Sequence, residues 1–549
     1  MHIPIIVVLA SGDNPVWILL SKPILAVFRF IFGEIDIVKY GKPGWESKDK
    51  YKMHEKLGDA VVHVSPGHNW LYICNPAAVN DIFKRKDDFD RPPELLEVLG
   101  VFGPNLSTAS SPFTSGGTYK LTKWQAIGAD WQRQRKITSA PFNDKNNSLV
   151  WTETLRQASE VLQFWKTAKG PITTTDIDTR TLSLHVLSGA GFGKSYSFKK
   201  SAEKAKEGHM FNYRDAISLI LENCLLILVL GPRLLGKMAG WSIFGNWSRI
   251  GQATIDFKDH MTTMLIEEKS AIATGKVRSP TITNALIRAS EESNAATGGG
   301  FKGLTEDEIY GNIFVYNFAG HDTTATTFNW ALYLLAAFPD VQEWMAEEIN
   351  AVLGDREAED VDFRDVFPKL NRCLAVLYET LRLWNPLLGI CKSTFLIPQP
   401  LTVGEKTIVV PPDTRIIPNS NAIHTHPRYW GEDSMSWKPA RWILSSATSS
   451  PSSQLNAQAE TFKTFPKGSY IAWSDGVRPC PGKKFSQVEF VAAMVSLFRR
   501  HRVEIVPNAG ESVLEARERV KKVINDNVIV LLLQMREPKT VGLKWVEVK

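Results

Sequence analysis

The sequence predicts a mostly helical fold with small β-sheets. Three observations carry that reading. Residues 304–340 pattern as one unbroken helix, most of the surrounding stretch from 145 to 380 reads as helix too, and two short segments, 59–74 and 393–418, alternate around proline and glycine as strands do. The 304–340 helix, at about 33 residues and about 1.5 Å per residue, is near 50 Å long and crosses a whole domain. The average helix has only about 11 to 12 residues.

The chain has 549 residues, 44% hydrophobic and 22% charged, which is the composition of a folded globular protein able to bury a large core. A net charge of +6 over this length is mild. It suggests a basic patch for an acidic partner and argues against nucleic acid. The five cysteines (Cys74, Cys224, Cys373, Cys391 and Cys480) are widely spaced and include no C-x-x-C pair. That argues against a disulfide framework and a structural zinc site, and it fits a reducing compartment best.

In chain order, the first 40 residues are apolar but interrupted. "MHIPIIVVLA" is followed by "SGDNP" and then by "VWILLSKPILAVFRFIFG", which contains Lys22, Pro23 and Arg29. A clean span needs about twenty mostly apolar residues, and each of those charges would cost about 2.5 to 3.5 kcal/mol at mid-bilayer. The segment therefore predicts membrane association of some kind rather than a simple span, with interfacial docking of its Trp and Phe side chains as the alternative. "DAVVHVSPGHNWLYIC" (59–74) predicts two strands around Ser65-Pro66-Gly67, and 103–125, rich in Gly, Ser and Thr, predicts a long surface loop. Thr305 with Glu308 forms a capping box for the long helix and Pro339 ends it. A helix from Asp340 to before Gly354 and another over 370–385 follow, then a second small sheet over 393–418 and a Ser-rich connector at 445–454. No internal repeat or linker splits the chain, so the expected division is an apolar N-terminal segment, 1–40, and a single catalytic domain, 41–549.

The chemistry concentrates in "WSDGVRPCPG", residues 473–482. Helical periodicity begins just after Gly482, so Cys480 lies before a helix N-terminus, where the dipole and free N–H groups favour a thiolate. A nucleophilic role would need a base, and the loop has no histidine. A metal-ligand role needs none. Gly476 suits a left-handed turn, Gly482 lets a flat group approach the backbone, and Arg478 has the planar fork that grips a carboxylate.

The order Trp473, Gly476, Arg478, Cys480, Gly482 resembles the cysteine loop of the cytochrome P450 family, with Trp473 where the family more often has Phe. Other segments agree with that resemblance. Glu379 and Arg382 in "YETLR", with Arg441 in "WKPARW", resemble its Glu-Arg-Arg network. "AGHDTT" (319–324) resembles its oxygen-activation sequence, and Trp131 with Arg135 match its W-x-x-x-R helix. The resemblance covers residues 50 to 540 and is closest in style to microsomal members from fungi.

It implies the cytochrome P450 fold, a helical haem-enclosing domain plus a small β subdomain, and a haem-dependent monooxygenase placing one oxygen atom from O2 into a lipophilic small molecule. Cys480 would be the axial ligand of haem b. Arg478, Trp473, Gly476, Gly482, Trp131 and Arg135 would hold the cofactor, Asp322 and Thr323 would relay protons, and His321 would only pack. Electrons would come from NADPH through NADPH-cytochrome P450 reductase, with cytochrome b5 as a further donor, across a basic patch of Arg133, Lys136, Lys483 and Lys484. The setting would be the endoplasmic reticulum membrane, with the domain facing the cytosol, in secondary-metabolite biosynthesis. A haem-thiolate isomerase or dehydratase and a non-catalytic haem sensor are the alternatives. Apolar residues near 104–125, 314–318 and 386–390 would wall the substrate pocket.

Overall fold

The computed structural model describes residues 3–92, 95–110, 124–198, 205, 208–276, 281–295, 303–444 and 460–548. Most of the predicted loop 103–125 and the connector 445–454 lie outside them. Helices dominate, and the longest, Glu306–Ala337, runs through the main hydrophobic core. Its start is fixed locally: Thr305 accepts from the Glu308 amide while the Glu308 carboxylate accepts from the Thr305 amide. Pro339 opens the next helix, Pro339–Leu353, because its ring cannot continue the first.

The long helix packs on helices Thr175–Phe192 and Val513–Asn525, and Lys483–Phe498 packs on Asp144–Lys166. These contacts bury side chains as large as Trp330, Tyr333, Phe328 and Phe490. The Phe328 and Phe490 rings stack with centroids 5.2 Å apart, tying the long helix to the helix that follows Cys480.

The sheets are arranged differently from the sequence expectation. Strands β1 (Ile5–Val7), β2 (Ala60–Val64), β3 (Trp70–Ile73), β4 (Lys392–Ser393) and β7 (Arg415–Pro418) make one five-stranded sheet in the order β1-β2-β3-β7-β4. Within 393–418, β5 (Gln399–Val403) and β6 (Lys406–Val410) form a hairpin of their own. The predicted second sheet is thus split, because β7 pairs parallel with β3 through Trp70↔Arg415 and leaves its sequence neighbours.

The N-terminal stretch is also built into this sheet. β1 pairs parallel with β2, Ile5 opposite Val62. Helix Pro15–Phe32, capped by Asn14 and carrying Pro23 inside it, then lies back on the domain through buried Trp17, Ser21 and Leu25. The Trp17 indole N–H donates to the Gly41 carbonyl at 3.1 Å. Among the described residues, no helix is long and apolar enough to cross a membrane.

Candidate active site

Residues 473–482 close on themselves, the Cys480 amide donating to the Trp473 carbonyl at 2.8 Å. The turn uses two left-handed residues, Ser474 at φ 65° and Gly476 at φ 71°. A Cβ on Gly476 would stand 2.3 Å from the Phe83 carbonyl oxygen, so the dihedral and the contact both demand glycine. Gly482 has an ordinary φ of −81° and serves another purpose. A Cβ there would meet nothing closer than the Cys480 sulfur at 3.9 Å, so open space lies beside the sulfur.

Cys480 is open to a water-sized sphere, unlike buried Cys74, Cys224 and Cys373. Yet burial is the largest influence on its thiol, pushing its pKa up against the Gly482 amide and the cations Arg135, Arg91 and Lys483. The two facts agree if the sulfur faces a chamber inside the protein. Burial here outweighs the Gly482 amide and the three cations, so the free thiol is a weaker acid than usual, and a metal cation beside it would favour the thiolate.

The long helix is opened in the same way at one place. It is buried from Glu308 to Asn317 and from Thr324 to Ala337, whereas Phe318, Ala319, Gly320, Asp322 and Thr323 are accessible. Thr323 donates to the Ala319 carbonyl at 2.7 Å and Thr324 to the Gly320 carbonyl at 3.2 Å, the back-bonding that loosens a helix. Asp322 turns elsewhere. Its carboxylate accepts from Arg180 of helix Thr175–Phe192 at 2.9 Å, and Arg180 also donates to Gln534 at 2.9 Å. Adjacent helical residues diverge by about 100°, so Asp322 and Thr323 share the opening without touching. His321 is buried, with Nε2 against the Arg180 carbonyl at 3.1 Å, as a packing residue would be.

Several separated segments converge on the cysteine loop. Arg478 lies over the Trp131 ring, 4.4 Å from its centroid, and bonds Asp90 with both terminal nitrogens at 3.2 Å. Trp473 donates to Ser486 at 3.1 Å and packs on Tyr378 of helix Asn371–Leu383, ring centroids 5.0 Å apart. Three of these neighbours carry no motif the sequence reading used: Asp90, Arg91 and Lys392. The Arg91 Nε is shielded from solvent and has no hydrogen-bond partner. Burial and the nearby Arg478 and Arg135 pull its pKa down to about 10. Burial and Arg91 likewise pull Lys392 down to about 8. The only hints in sequence are an arginine before proline in "FDRP" and a lysine inside the apolar run "LLGICKST".

The Glu379 network forms as a buried unit. Glu379 and Arg382 are both fully shielded and paired through two N–H···O bonds of 2.8 Å. The Arg441 Nε donates to Glu379 at 2.8 Å, the Trp442 indole at 3.0 Å and the Lys438 amide at 2.9 Å. Arg382 spends its remaining donors on the carbonyls of His424, Ser434 and Ser436. The expected basic patch is smaller than predicted. Arg133 pairs instead with Glu308 at the start of the long helix, leaving Lys136, Lys483 and Lys484 exposed.

These residues fit the haem that the resemblance implies. An open sulfur, free space beside it, and four converging cations, Arg91, Arg135, Arg478 and Lys392, with depressed pKa values mark a site short of negative charge. A flat group carrying carboxylates would relieve that shortage.

The comparisons with known proteins agree. The family model described as Cytochrome P450 matches residues 36–524. A cytochrome P450 monooxygenase of Arthrobotrys oligospora is 28% identical over 96% of this chain and 90% of its own. The phomenoic acid biosynthesis cluster cytochrome P450 monooxygenase of Leptosphaeria maculans is 26% identical over 94% of this chain and 89% of its own. Among solved structures, a zebra fish cytochrome P450 with progesterone superposes with TM-score 0.62 at 17% identity, covering 90% of this chain and 98% of that one.

Proposed function

The chain belongs to the cytochrome P450 family and is a haem-dependent monooxygenase, and on that premise we propose that Cys480 is the axial ligand of the haem iron. The observation that carries this is an accessible sulfur ringed by Arg91, Arg135 and Lys483. When bound, haem supplies the activation of O2 and the insertion of one oxygen atom into substrate. Arg478 and Arg135, with Arg91 and Lys392, would hold its carboxylates, while Trp131 lies against the Arg478 guanidinium and Trp473 braces the loop. Gly482 leaves room beside the sulfur, and Gly476 lets the loop turn tightly against Phe83. Glu379, Arg382 and Arg441 keep the surrounding backbone rigid. A reduced carbon monoxide difference spectrum of the purified protein is expected to show the thiolate-type Soret band, and a folded, haem-loaded protein without it would overturn the assignment.

In the same reading Thr323 positions a proton donor at the opening of the long helix and Asp322 passes protons from outside. Arg180 holds the Asp322 carboxylate, and its side chain, 41% exposed, has room to move toward solvent. Asp322→Asn still accepts a hydrogen bond from Arg180 but cannot carry a proton. It should lower single-turnover product formation about 10²-fold, leaving haem content and the carbon monoxide spectrum intact. Undiminished turnover would remove Asp322 from the relay.

The redox partner docks on Lys136, Lys483 and Lys484; we assign that role to NADPH-cytochrome P450 reductase, with cytochrome b5 as a second donor. Consumption of NADPH and O2 with the reductase present separates this reading from an isomerase and from a sensor. The N-terminal helix lies on the endoplasmic reticulum membrane with the domain on the cytosolic side. β1 before it and the Trp17 to Gly41 contact in its first turn hold its N-terminal end to the domain, and Val16, Leu20, Val27 and Phe30 line its outer side. Residues 41–549 are the catalytic domain. The substrate is a lipophilic terpenoid or polyketide of secondary metabolism. Apolar Phe314 and Phe318 support that class, as does the crossing of 103–106 over the long helix, where the Leu106 amide donates to Asn312 at 2.9 Å.

A further inference from the structure

Packing accounts for only one of the two ring nitrogens of His321. Nε2 lies 3.1 Å from the Arg180 carbonyl. A carbonyl oxygen only accepts, so Nε2 carries the hydrogen and, in the neutral ring, Nδ1 is left with a lone pair. That nitrogen is shielded from solvent and has no hydrogen-bond partner. It stands 3.5 Å from Asp322 Oδ1, so two acceptors face each other inside the protein. A buried polar atom left without a partner costs about 1 to 3 kcal/mol. One proton between the two would remove that cost.

The surroundings hold the pair ready for such a proton. Burial pulls the His321 pKa below its ordinary value, Asp322 pulls the other way and Arg180 adds to burial, so the resting imidazole is neutral at physiological pH. The other titratable group facing it is His185, on the same helix as Arg180, whose pKa burial drives down to about 3. Arg180 donates to the same Oδ1 at 2.9 Å and is itself tied to Gln534. A carboxylate oxygen offers two lone pairs, one for Arg180 and one for the side facing His321.

We propose that His321 and Asp322 share one proton, which makes His321 a positioning residue of the relay; this rests on the reading that Asp322 passes protons inward. On Nδ1 the proton makes an imidazolium whose two N–H groups donate to the Arg180 carbonyl and to Oδ1. On Oδ1 it makes an acid whose O–H donates to Nδ1. In both forms Nδ1 and Oδ1 are partnered, and Arg180 stays bonded throughout. A small rotation of the carboxyl closes the 3.5 Å gap, and a larger one presents the proton to the opening beside Thr323. The proton enters from solvent past the Arg180 side chain and leaves into the opening, so the pair ends with the charge it began with.

The test uses the purified, haem-loaded full chain with excess reductase in air-saturated buffer and follows NADPH consumption from acid to alkaline pH. The parent rate should fall on the alkaline side, where the pair loses its proton. His321→Gln keeps a donor for the Arg180 carbonyl and offers no acceptor at the Nδ1 position. It should move that fall about one pH unit toward acid, a tenfold loss of proton affinity and the value of one hydrogen bond to a charged group. His321→Asn keeps an amide oxygen at the Nδ1 position but loses the bond to Arg180, and it should lie between parent and glutamine variant. Haem content, melting and the rate at which the carbon monoxide band forms on reduction should stay close to the parent in both. Added to Asp322→Asn, His321→Gln should cost nothing more, because the two residues act on one proton. A parental profile in His321→Gln while Asp322→Asn is impaired, a larger shift in His321→Asn than in His321→Gln, or losses that multiply in the double variant would each overturn the proposal. Undiminished NADPH consumption in Asp322→Asn would instead remove the relay reading, and the shared proton with it.

Discussion

Cys480→Ser should abolish the thiolate-type Soret band and lower turnover by at least about 10³-fold, while the protein stays folded. The cysteines differ in what surrounds them. The largest charged influences on Cys74 and Cys373 are carboxylates, Asp59 and Glu348, which with burial push those thiols well up. Cys480 is the one pulled back down by Arg135, Arg91 and Lys483 together. A serine hydroxyl is a far weaker acid than a thiol, and the same burial raises it further, so those cations cannot make it an anionic ligand. Haem content and the reduced carbon monoxide spectrum check this directly. A thiolate-type band surviving in the serine variant would show that another cysteine ligates the iron. Cys373→Ser, a change at a fully buried site far from those cations, is the matched control and should keep the band.

Glu379→Gln should cost about 3 to 5 kcal/mol of stability, read as a shift in the urea midpoint or as faster loss of the Soret band on heating. Glutamine keeps the shape and some hydrogen bonds but removes the carboxylate that pairs fully buried Arg382. Arg382 cannot turn to water, because Nη1 donates to the His424 and Ser434 carbonyls and Nη2 also donates to the Ser436 carbonyl, beneath Trp430. Arg441→Ala should cost less. Arg441 shares its charge with Asp433 near the surface, so its loss leaves Glu379 still paired with Arg382. A glutamine variant within about 1 kcal/mol of the parent would mean that backbone packing, and not the ion pair, holds this region.

The sequence reading worked where a signal is local. Thr305, Glu308 and Pro339 set the ends of the long helix from within a turn of each end, and the structure places them there. Glu379 and Arg382 are three apart on one helix and had to share a face. Gly476 stood among turn residues and takes the left-handed dihedral such a turn requires. The failures were all of partnership. Arg133 looked like a surface cation and is the mate of Glu308, 175 residues away. Asp322 looked like the neighbour of Thr323 and is held by Arg180. β7 looked like part of a local hairpin sheet and belongs to β3.

By itself, then, the sequence determined the helical class, the helix that spans the domain, the turn that presents Cys480 and the family to which the chain belongs. Helix ends, turns and i,i+3 faces are decided within a few residues by dihedral preference and capping, so they are written locally. Only the tertiary structure decided that Asp90, Arg91 and Lys392 join Arg478 and Arg135 near the sulfur, and that burial is the largest influence on the thiol. It alone placed the first strand beside β2. The physical reason is common to these cases: a charge acquires its partner, and a strand its register, from chain segments tens to hundreds of residues away.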